Sequence, residues 1–140
     1  MKQLFELNTY TDRVRLIGMI AIIISIVAWA SDLTGFVYEC PYCRLQRTVI
    51  GILGIFLLLP NPGHWVVRYF ATVIGFLGAH VAAEQNFRGW KKISAGTFSF
   101  NERIYIDSFI LSGCALFIIV GLVFLHYLVK PSAPIEPADG

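Results

Sequence analysis

Two cysteines separated by two residues, Cys40 and Cys43, have a spacing that permits redox chemistry. The sulfurs of a Cys-x-x-Cys unit are close enough to form a small-ring disulfide and to exchange it through a mixed disulfide. Arg44 and Arg47 follow, and Arg47 lies four residues after Cys43, which is one face of a helix. Positive charge and a helix N-terminus favour a thiolate, and they can hold negative charge that develops on a bound partner. We therefore predict Cys40 and Cys43 as a catalytic pair.

The positions of the cysteines and histidines in the sequence argue against two other kinds of site, a structural zinc site and a haem site. A structural zinc site needs four ligands, and the further candidates, His80 and Cys114, fall several residues inside different predicted helices. A haem held by two histidines needs both at one depth, whereas His80 and His126 fall near opposite ends of the predicted bundle and His64 lies on the His126 side. We interpret Cys114 as an apolar residue that fills space inside a helix.

The composition predicts a membrane protein. Of 140 residues, 56% are hydrophobic and 14% are charged, with a mean hydropathy of +0.67, whereas soluble domains carry about 25% charged residues. This excludes a water-soluble globule, a disordered chain and a disulfide-dense secreted module. A net charge of +2 gives no reason to expect nucleic acid as a partner.

Apolar runs predict an all-α, four-helix membrane bundle, with helices over residues 16–31, 41–59, 65–83 and 108–129. The second apolar run, 48–59, has only 12 residues and rises about 18 Å, too short for a hydrocarbon core of about 30 Å. A helix that spans must begin near Pro41, and proline suits a first helical turn. The Cys pair is therefore predicted on the first turn of the second helix, at the membrane surface.

The first run has features of a cleaved signal peptide, with an A-x-A pattern at residues 28–30. We interpret it as a membrane helix because Trp29 fits an interfacial anchor. The third run carries small residues at every fourth position, which predicts close helix packing: Ala71, Gly75, Ala79 and Ala83.

The remaining segments set the domain organisation. Residues 84–107 form a long connection with aromatic and basic residues, which we expect on the membrane surface. One domain over residues 1–130 is followed by a flexible polar tail over 131–140. Four spans place both termini on one side and the Cys pair on the other. Five basic residues on the terminal side against six on the Cys side leave the orientation open.

The stretch from Cys40 through Arg47, at the start of the second of four membrane helices, resembles the DsbB family of disulfide-bond formation proteins. The specific part is the Cys-x-x-Cys-x-x-(Gln/Glu)-Arg block, and the resemblance extends over most of the chain through the first loop, the glycine-containing second helix and the long second loop.

The resemblance implies a thiol:quinone oxidoreductase of the bacterial inner membrane, with both termini cytoplasmic and the Cys pair periplasmic. It implies that Cys43 lies next to the quinone, ubiquinone or menaquinone, and forms a charge-transfer complex or adduct with it. The resemblance further implies that Arg47 binds the quinone, that Arg44 is a further cofactor-binding residue, and that Cys40 exchanges disulfides with the partner protein. The implied partner is a periplasmic thioredoxin-fold thiol oxidase like DsbA or another thiol protein.

One feature departs from the family. Typical members carry a second cysteine pair in the second loop, and residues 84–107 contain no cysteine. Either the partner attacks the Cys40–Cys43 disulfide directly, or the electron donor differs. Two alternatives remain open at this point: a non-catalytic membrane subunit with an assembly or interaction role, and a redox protein that works in the reductive direction.

Overall fold

A computed structural model describes residues 7–37 and 39–132, and within these ranges the chain forms helices and no strand. The elements are α1 (Leu7–Asp12), α2 (Val14–Leu33), α3 (Pro41–Leu58), α4 (Trp65–Ser94), a 3₁₀ turn (Ile104–Ile106) and α5 (Ser108–Leu128). The four long helices confirm the predicted all-α class, while the short α1 was not predicted. The predicted tail lies outside the described residues from residue 133 onward.

Three helices, α2, α4 and α5, are long and apolar enough to cross a membrane. Large apolar side chains on their outer faces are exposed, including Ile26 at 61%, Phe76 at 73% and Phe117 at 82%. Such surfaces are costly in water and favourable in lipid. The composition-based prediction of a membrane protein is confirmed to this extent. The helix α3 does not belong to this apolar set, because its first turns carry polar and charged side chains.

The helix α3 lies at the centre and packs against α2, α4 and α5. Its side chains Leu53 and Leu57 are completely buried. Two glycines allow α2 and α3 to approach closely: a Cβ on Gly54 would lie 2.8 Å from the carbonyl oxygen of Gly18, and a Cβ on Gly18 would lie 2.9 Å from that of Gly54. This contact positions the first turns of α3 beside the end of α2.

The helix α4 is longer than predicted. It continues from Ala83 to Ser94, so the expectation of a surface loop beginning at residue 84 is wrong for its first eleven residues. An ion pair four residues apart, Glu84 with Arg88 at 2.9 Å, supports the extension. The helix ends before Gly96, which adopts a positive φ of 68° suited to a helix end. Thirty residues give a length of about 45 Å.

The small-residue face of α4 also differs from the prediction. Ala71 and Gly75 are buried, but Ala83 is exposed and Ala79 is only partly buried. A strict spacing of four drifts off the face of a helix that has 3.6 residues per turn. The buried residues alternate spacings of four and three: Ala71, Gly75, Gly78, Ala82, Gln85 and Gly89.

Polar groups fix both ends of α5. At its start, the carboxylate of Asp107 accepts hydrogen bonds from the backbone N–H groups of Phe109 at 2.9 Å and Ile110 at 3.3 Å. At its end, the guanidinium of Arg68 donates to the carbonyl oxygens of His126 at 3.1 Å and Val129 at 2.7 Å. These bonds satisfy backbone groups that a helix leaves unpaired at its termini.

Candidate redox site

The cysteine motif lies at the start of α3, as predicted. Cys40 is the N-cap with an extended backbone (φ −123°, ψ 114°), Pro41 begins the helix, and Cys43 lies in the first turn. Both thiols are free and both are partly buried. The N-terminus of α3 therefore presents unpaired backbone N–H groups in the turn that carries the two sulfurs.

A pair of glutamines lies next to the sulfurs. The amide of Gln85, on α4, donates from Nε2 to Sγ of Cys43 at 3.5 Å and to Sγ of Cys40 at 3.8 Å. Nε2 of Gln46 donates to Oε1 of Gln85 at 2.7 Å. Both glutamines are buried, at 4% exposure for Gln46 and 8% for Gln85. The motif is thus connected to α4 through a buried chain of amides.

A buried carboxylate at the end of α2 pairs with both arginines of the motif. Oδ2 of Asp32 lies 2.6 Å from Nε of Arg44 and 3.4 Å from Nη1 of Arg47. The side chain of Asp32 is fully buried and that of Arg47 is 12% exposed. Nη1 of Arg47 is within ion-pair distance but makes no aligned hydrogen bond within the described part of the chain. On α2, Ser25 donates to the carbonyl oxygen of Arg47 at 2.8 Å.

A cavity of about 580 Å³ opens beside Cys43 and Arg47. The helices α2, α3 and α5 and the connection before α5 line it, and most of its lining side chains are apolar. Its polar side chains include Gln46 and Arg103. This volume is typical of sites for small organic ligands. An apolar groove of about 400 Å³ lies between α2 and α5, nearer to the C-terminal end of α5 than the cavity does. Ile118 lines both the groove and the cavity.

The structure separates the predicted site residues into two groups. Cys43 and Arg47 line the cavity, whereas Cys40 and Arg44 do not. Arg44 instead pairs with Asp32 and, at 3.5 Å, with Glu39. Its cofactor-binding role stays a prediction.

The expectation that Cys114 is buried inside a helix is wrong. Its side chain is exposed and lines the same cavity as Cys43, because α5 turns that face toward the space between α2 and α5. His64 accepts a hydrogen bond from the backbone of Val66, and the buried His126 bonds to the carbonyl oxygen of Leu122. Within residues 7–37 and 39–132, no group of three ligands could hold a metal ion.

An exposed cluster joins Tyr42, which lies between the two cysteines, to α4. The hydroxyl of Tyr42 lies 3.3 Å from Oε1 of Glu84 and also contacts the guanidinium of Arg88. The Arg88 guanidinium lies over the Tyr42 ring, 4.6 Å from its centroid. The extension of α4 therefore reaches the residues between the two cysteines.

Asp32 and Gln85 were not among the predicted site residues. A carboxylate at the end of an apolar run needs a partner, so Asp32 could have been identified as a site residue. Gln85 falls on the buried 4-3 face of α4, but only once the helix is extended past Ala83.

Comparison with known proteins gives no match: no protein-family model, no curated protein and no solved structure is significantly similar to this chain.

Proposed function

We propose that the chain is a DsbB-like thiol:quinone oxidoreductase of the bacterial inner membrane, which passes electrons from a partner protein's thiols to a bound quinone through the Cys40–Cys43 disulfide. The observation that carries the proposal is the cavity beside Cys43 and Arg47. A redox-type cysteine and a buried guanidinium border the same mostly apolar space.

The residues present fit a quinone. Apolar side chains of α2 and α5 can hold the ring, and the Arg47 guanidinium, which borders the cavity, can donate to a ring carbonyl oxygen. Oδ2 of Asp32 lies 3.4 Å from Nη1 of Arg47 and provides a counter-charge for that guanidinium. A bound quinone supplies an acceptor for the two electrons and two protons released when the cysteine pair is oxidised.

The chain's own part of the reaction is thiol–disulfide exchange. A partner thiolate attacks Sγ of Cys40, a new bond forms between the partner and Cys40, and the Cys40–Cys43 bond breaks with Cys43 leaving as a thiolate. The N-terminal turn of α3 and the positive charge of Arg47 favour that thiolate. A second partner thiolate then releases Cys40, and the pair is reduced.

The topology completes the proposal. In this topology α3 crosses the membrane together with α2, α4 and α5, which makes four spans. Both termini are then cytoplasmic, and the Cys pair faces the periplasm. With 18 residues, α3 has a length of about 27 Å, which falls at the short end of the range for membrane-spanning helices and leaves no room for tilt. The electron donor is a thioredoxin-fold thiol oxidase or another thiol protein that reaches Cys40 directly.

The test is quinone reduction by the purified protein with a dithiol donor. We expect Cys43→Ala to trap a mixed disulfide between Cys40 and the partner, and Arg47→Ala to slow quinone turnover. Labelling of thiols with an alkylating mass tag, with Cys114→Ala as background, should show a Cys40–Cys43 disulfide that follows the quinone supply. Permanently reduced thiols and no quinone reduction with any dithiol would instead identify a non-catalytic membrane subunit.

A further inference from the structure

Gln85 is buried next to the reacting sulfurs although it lies 42 residues from Cys43 in the chain. Its Nε2 is 3.5 Å from Sγ of Cys43 and 3.8 Å from Sγ of Cys40, distances at which an amide donates to sulfur. Within the described residues, no other side chain from outside the motif hydrogen-bonds to either sulfur. The guanidinium of Arg47 borders the same cavity as Cys43 but does not donate to its sulfur.

The orientation of the Gln85 amide is fixed by its neighbour. Nε2 of Gln46 donates to Oε1 of Gln85 at 2.7 Å, which leaves Nε2 of Gln85 as the nearer atom to the sulfurs. The thiol of Cys43 also lies 3.9 Å from Oε1 of Gln85 and can donate to it while protonated, whereas a thiolate can accept only from Nε2. Burial of both glutamines keeps water from competing for these bonds. Such a preoriented donor stabilises negative charge without reorganisation when the charge appears.

We propose that Gln85 is a catalytic hydrogen-bond donor that stabilises the thiolate of Cys43 when the Cys40–Cys43 disulfide opens. The step is the exchange described above: the partner's sulfur bonds to Cys40, the Cys40–Cys43 bond breaks, and the electron pair of that bond stays on Cys43. The amide N–H of Gln85 donates to the sulfur that receives this pair. The inference rests on the proposed function and assigns a residue outside the cysteine motif to the same site.

The experiment measures the thiols and uses no quinone. Gln85→Met keeps the size of the side chain and removes the donor, while Gln85→Glu keeps the shape and replaces the donor by a carboxylate. Asn86→Leu is the matched control, because Asn86 occupies the same turn but donates to the carbonyl oxygen of Phe109 on α5 at 2.9 Å. The full-length protein in detergent is reacted with iodoacetamide, and the alkylation rate of Cys43 is followed by mass spectrometry.

In Gln85→Met we expect iodoacetamide to alkylate Cys43 about fivefold to tenfold more slowly than in the parent. In Gln85→Glu we expect the alkylation of Cys43 to be slower still. Equilibration with glutathione should shift toward the disulfide by a similar factor, and a tenfold shift is about 30 mV for this two-electron couple. Asn86→Leu should stay within about twofold. Rates and equilibria of Gln85→Met and Gln85→Glu within twofold of the parent would overturn the proposal.

A second variant keeps the test decisive if Gln85 variants do not fold. Gln46→Met leaves Gln85 in place but frees its amide to rotate, so we expect a smaller loss of Cys43 reactivity in the same direction. An unchanged reactivity in Gln46→Met would then contradict the role of Gln85. The outcome is separate from that of the proposed function: absence of quinone reduction rejects the enzyme, whereas thiol reactivity that is independent of Gln85 rejects the donor alone.

Discussion

Oδ2 of Asp32 accepts a hydrogen bond from Nε of Arg44 at 2.6 Å, and this contact joins the end of α2 to the first turns of α3. The carboxylate is fully buried and also lies 3.4 Å from Arg47. A buried carboxylate beside two guanidinium groups offsets their charge, and removal of one partner leaves the others without compensation. The pair therefore holds the cysteine turn in place as well as the arginine that borders the cavity.

Replacement of this carboxylate should destabilise the protein. We expect Asp32→Asn, which keeps the shape and removes the charge, to lower the Tm by about 5 °C, because the mostly buried Arg47 loses its counter-charge and Arg44 loses its shorter ion pair. Glu39→Gln is the matched control, since Glu39 pairs with Arg44 from an exposed position at 3.5 Å. It should shift the Tm by about 1 °C or less. Equal Tm shifts in the two variants would show that the buried Asp32 ion pairs contribute no more to stability than the exposed Glu39 pair.

The cavity can be tested by filling it. Ala28 lines it from α2, so Ala28→Phe should occupy the space that a quinone ring needs. We expect the apparent KM for a quinone analogue to rise about tenfold, with the rate of thiol exchange unchanged. Val27→Phe, on the adjacent outward face with 58% exposure, should leave both quantities unchanged. A normal KM in Ala28→Phe would contradict the assignment of this cavity to the quinone.

Replacement of glycine by alanine should change the free energy of unfolding in opposite directions at Gly54, which contacts Gly18, and at Gly121, which has open space around it. In Gly54→Ala the new methyl would lie 2.8 Å from the Gly18 carbonyl oxygen, so α2 and α3 must separate, at a cost of about 1–3 kcal/mol in the free energy of unfolding. A Cβ on Gly121 meets nothing within 4 Å, so Gly121→Ala should stabilise by up to about 1 kcal/mol through helix propensity. Unfolding in detergent micelles measures both, and a neutral Gly54→Ala would refute the close approach.

The N-cap of α5 predicts a dependence of stability on pH. Burial alone would raise the pKa of the Asp107 carboxyl, but the backbone N–H groups of Asn101, Phe109 and Ile110 outweigh it and hold the pKa below its usual range. Because the folded carboxyl binds its proton less tightly than the unfolded one, its contribution is complete above about pH 3.9 and is lost as the pH falls below that value.

Two variants measure this contribution. At pH 7 we expect Asp107→Ala to lose about 1 kcal/mol of stability, and Asp107→Asn to lose less because its amide oxygen still caps the helix. The difference between the parent and Asp107→Asn should shrink as the pH is lowered from 5 to 3, measured by thermal unfolding. A difference that is constant over this range would show that the charge of Asp107 does not contribute.

The sequence predicted the start of α3 because two independent requirements coincide at Pro41: the length needed to cross lipid, and the tolerance of a first turn for proline. The end of α4 could not be predicted from hydropathy, because apolar character stops near Ala83 while the helix continues on good helix formers and a Glu84–Arg88 pair. Lipid crossing and helix formation are different requirements, and only the first leaves an apolar signal.

The cysteine side of the site was predictable and its surroundings were not. Local spacing places Cys43 and Arg47 on one face of a helix. Contacts between α4 and α3 bring Gln85 to the sulfurs, and the crossing of α2 on α3 brings Asp32 to the arginines. The exposure of Cys114 also depends on how α5 is rotated about its axis, and a single cysteine in an apolar run does not encode that rotation.

The space between α2 and α5 has a consequence for the occupancy of a hydrophobic ligand. Both helices present apolar side chains at its edge, and the groove beyond Ile118 continues it along the bundle. Under the proposed function, we expect a hydrophobic ligand to enter this space sideways from the surrounding lipid. Occupancy then follows the mole fraction of ligand in the bilayer or micelle instead of its concentration in the whole sample. Added detergent at constant ligand should lower the occupancy by surface dilution, even though neither the protein nor the ligand has changed in amount.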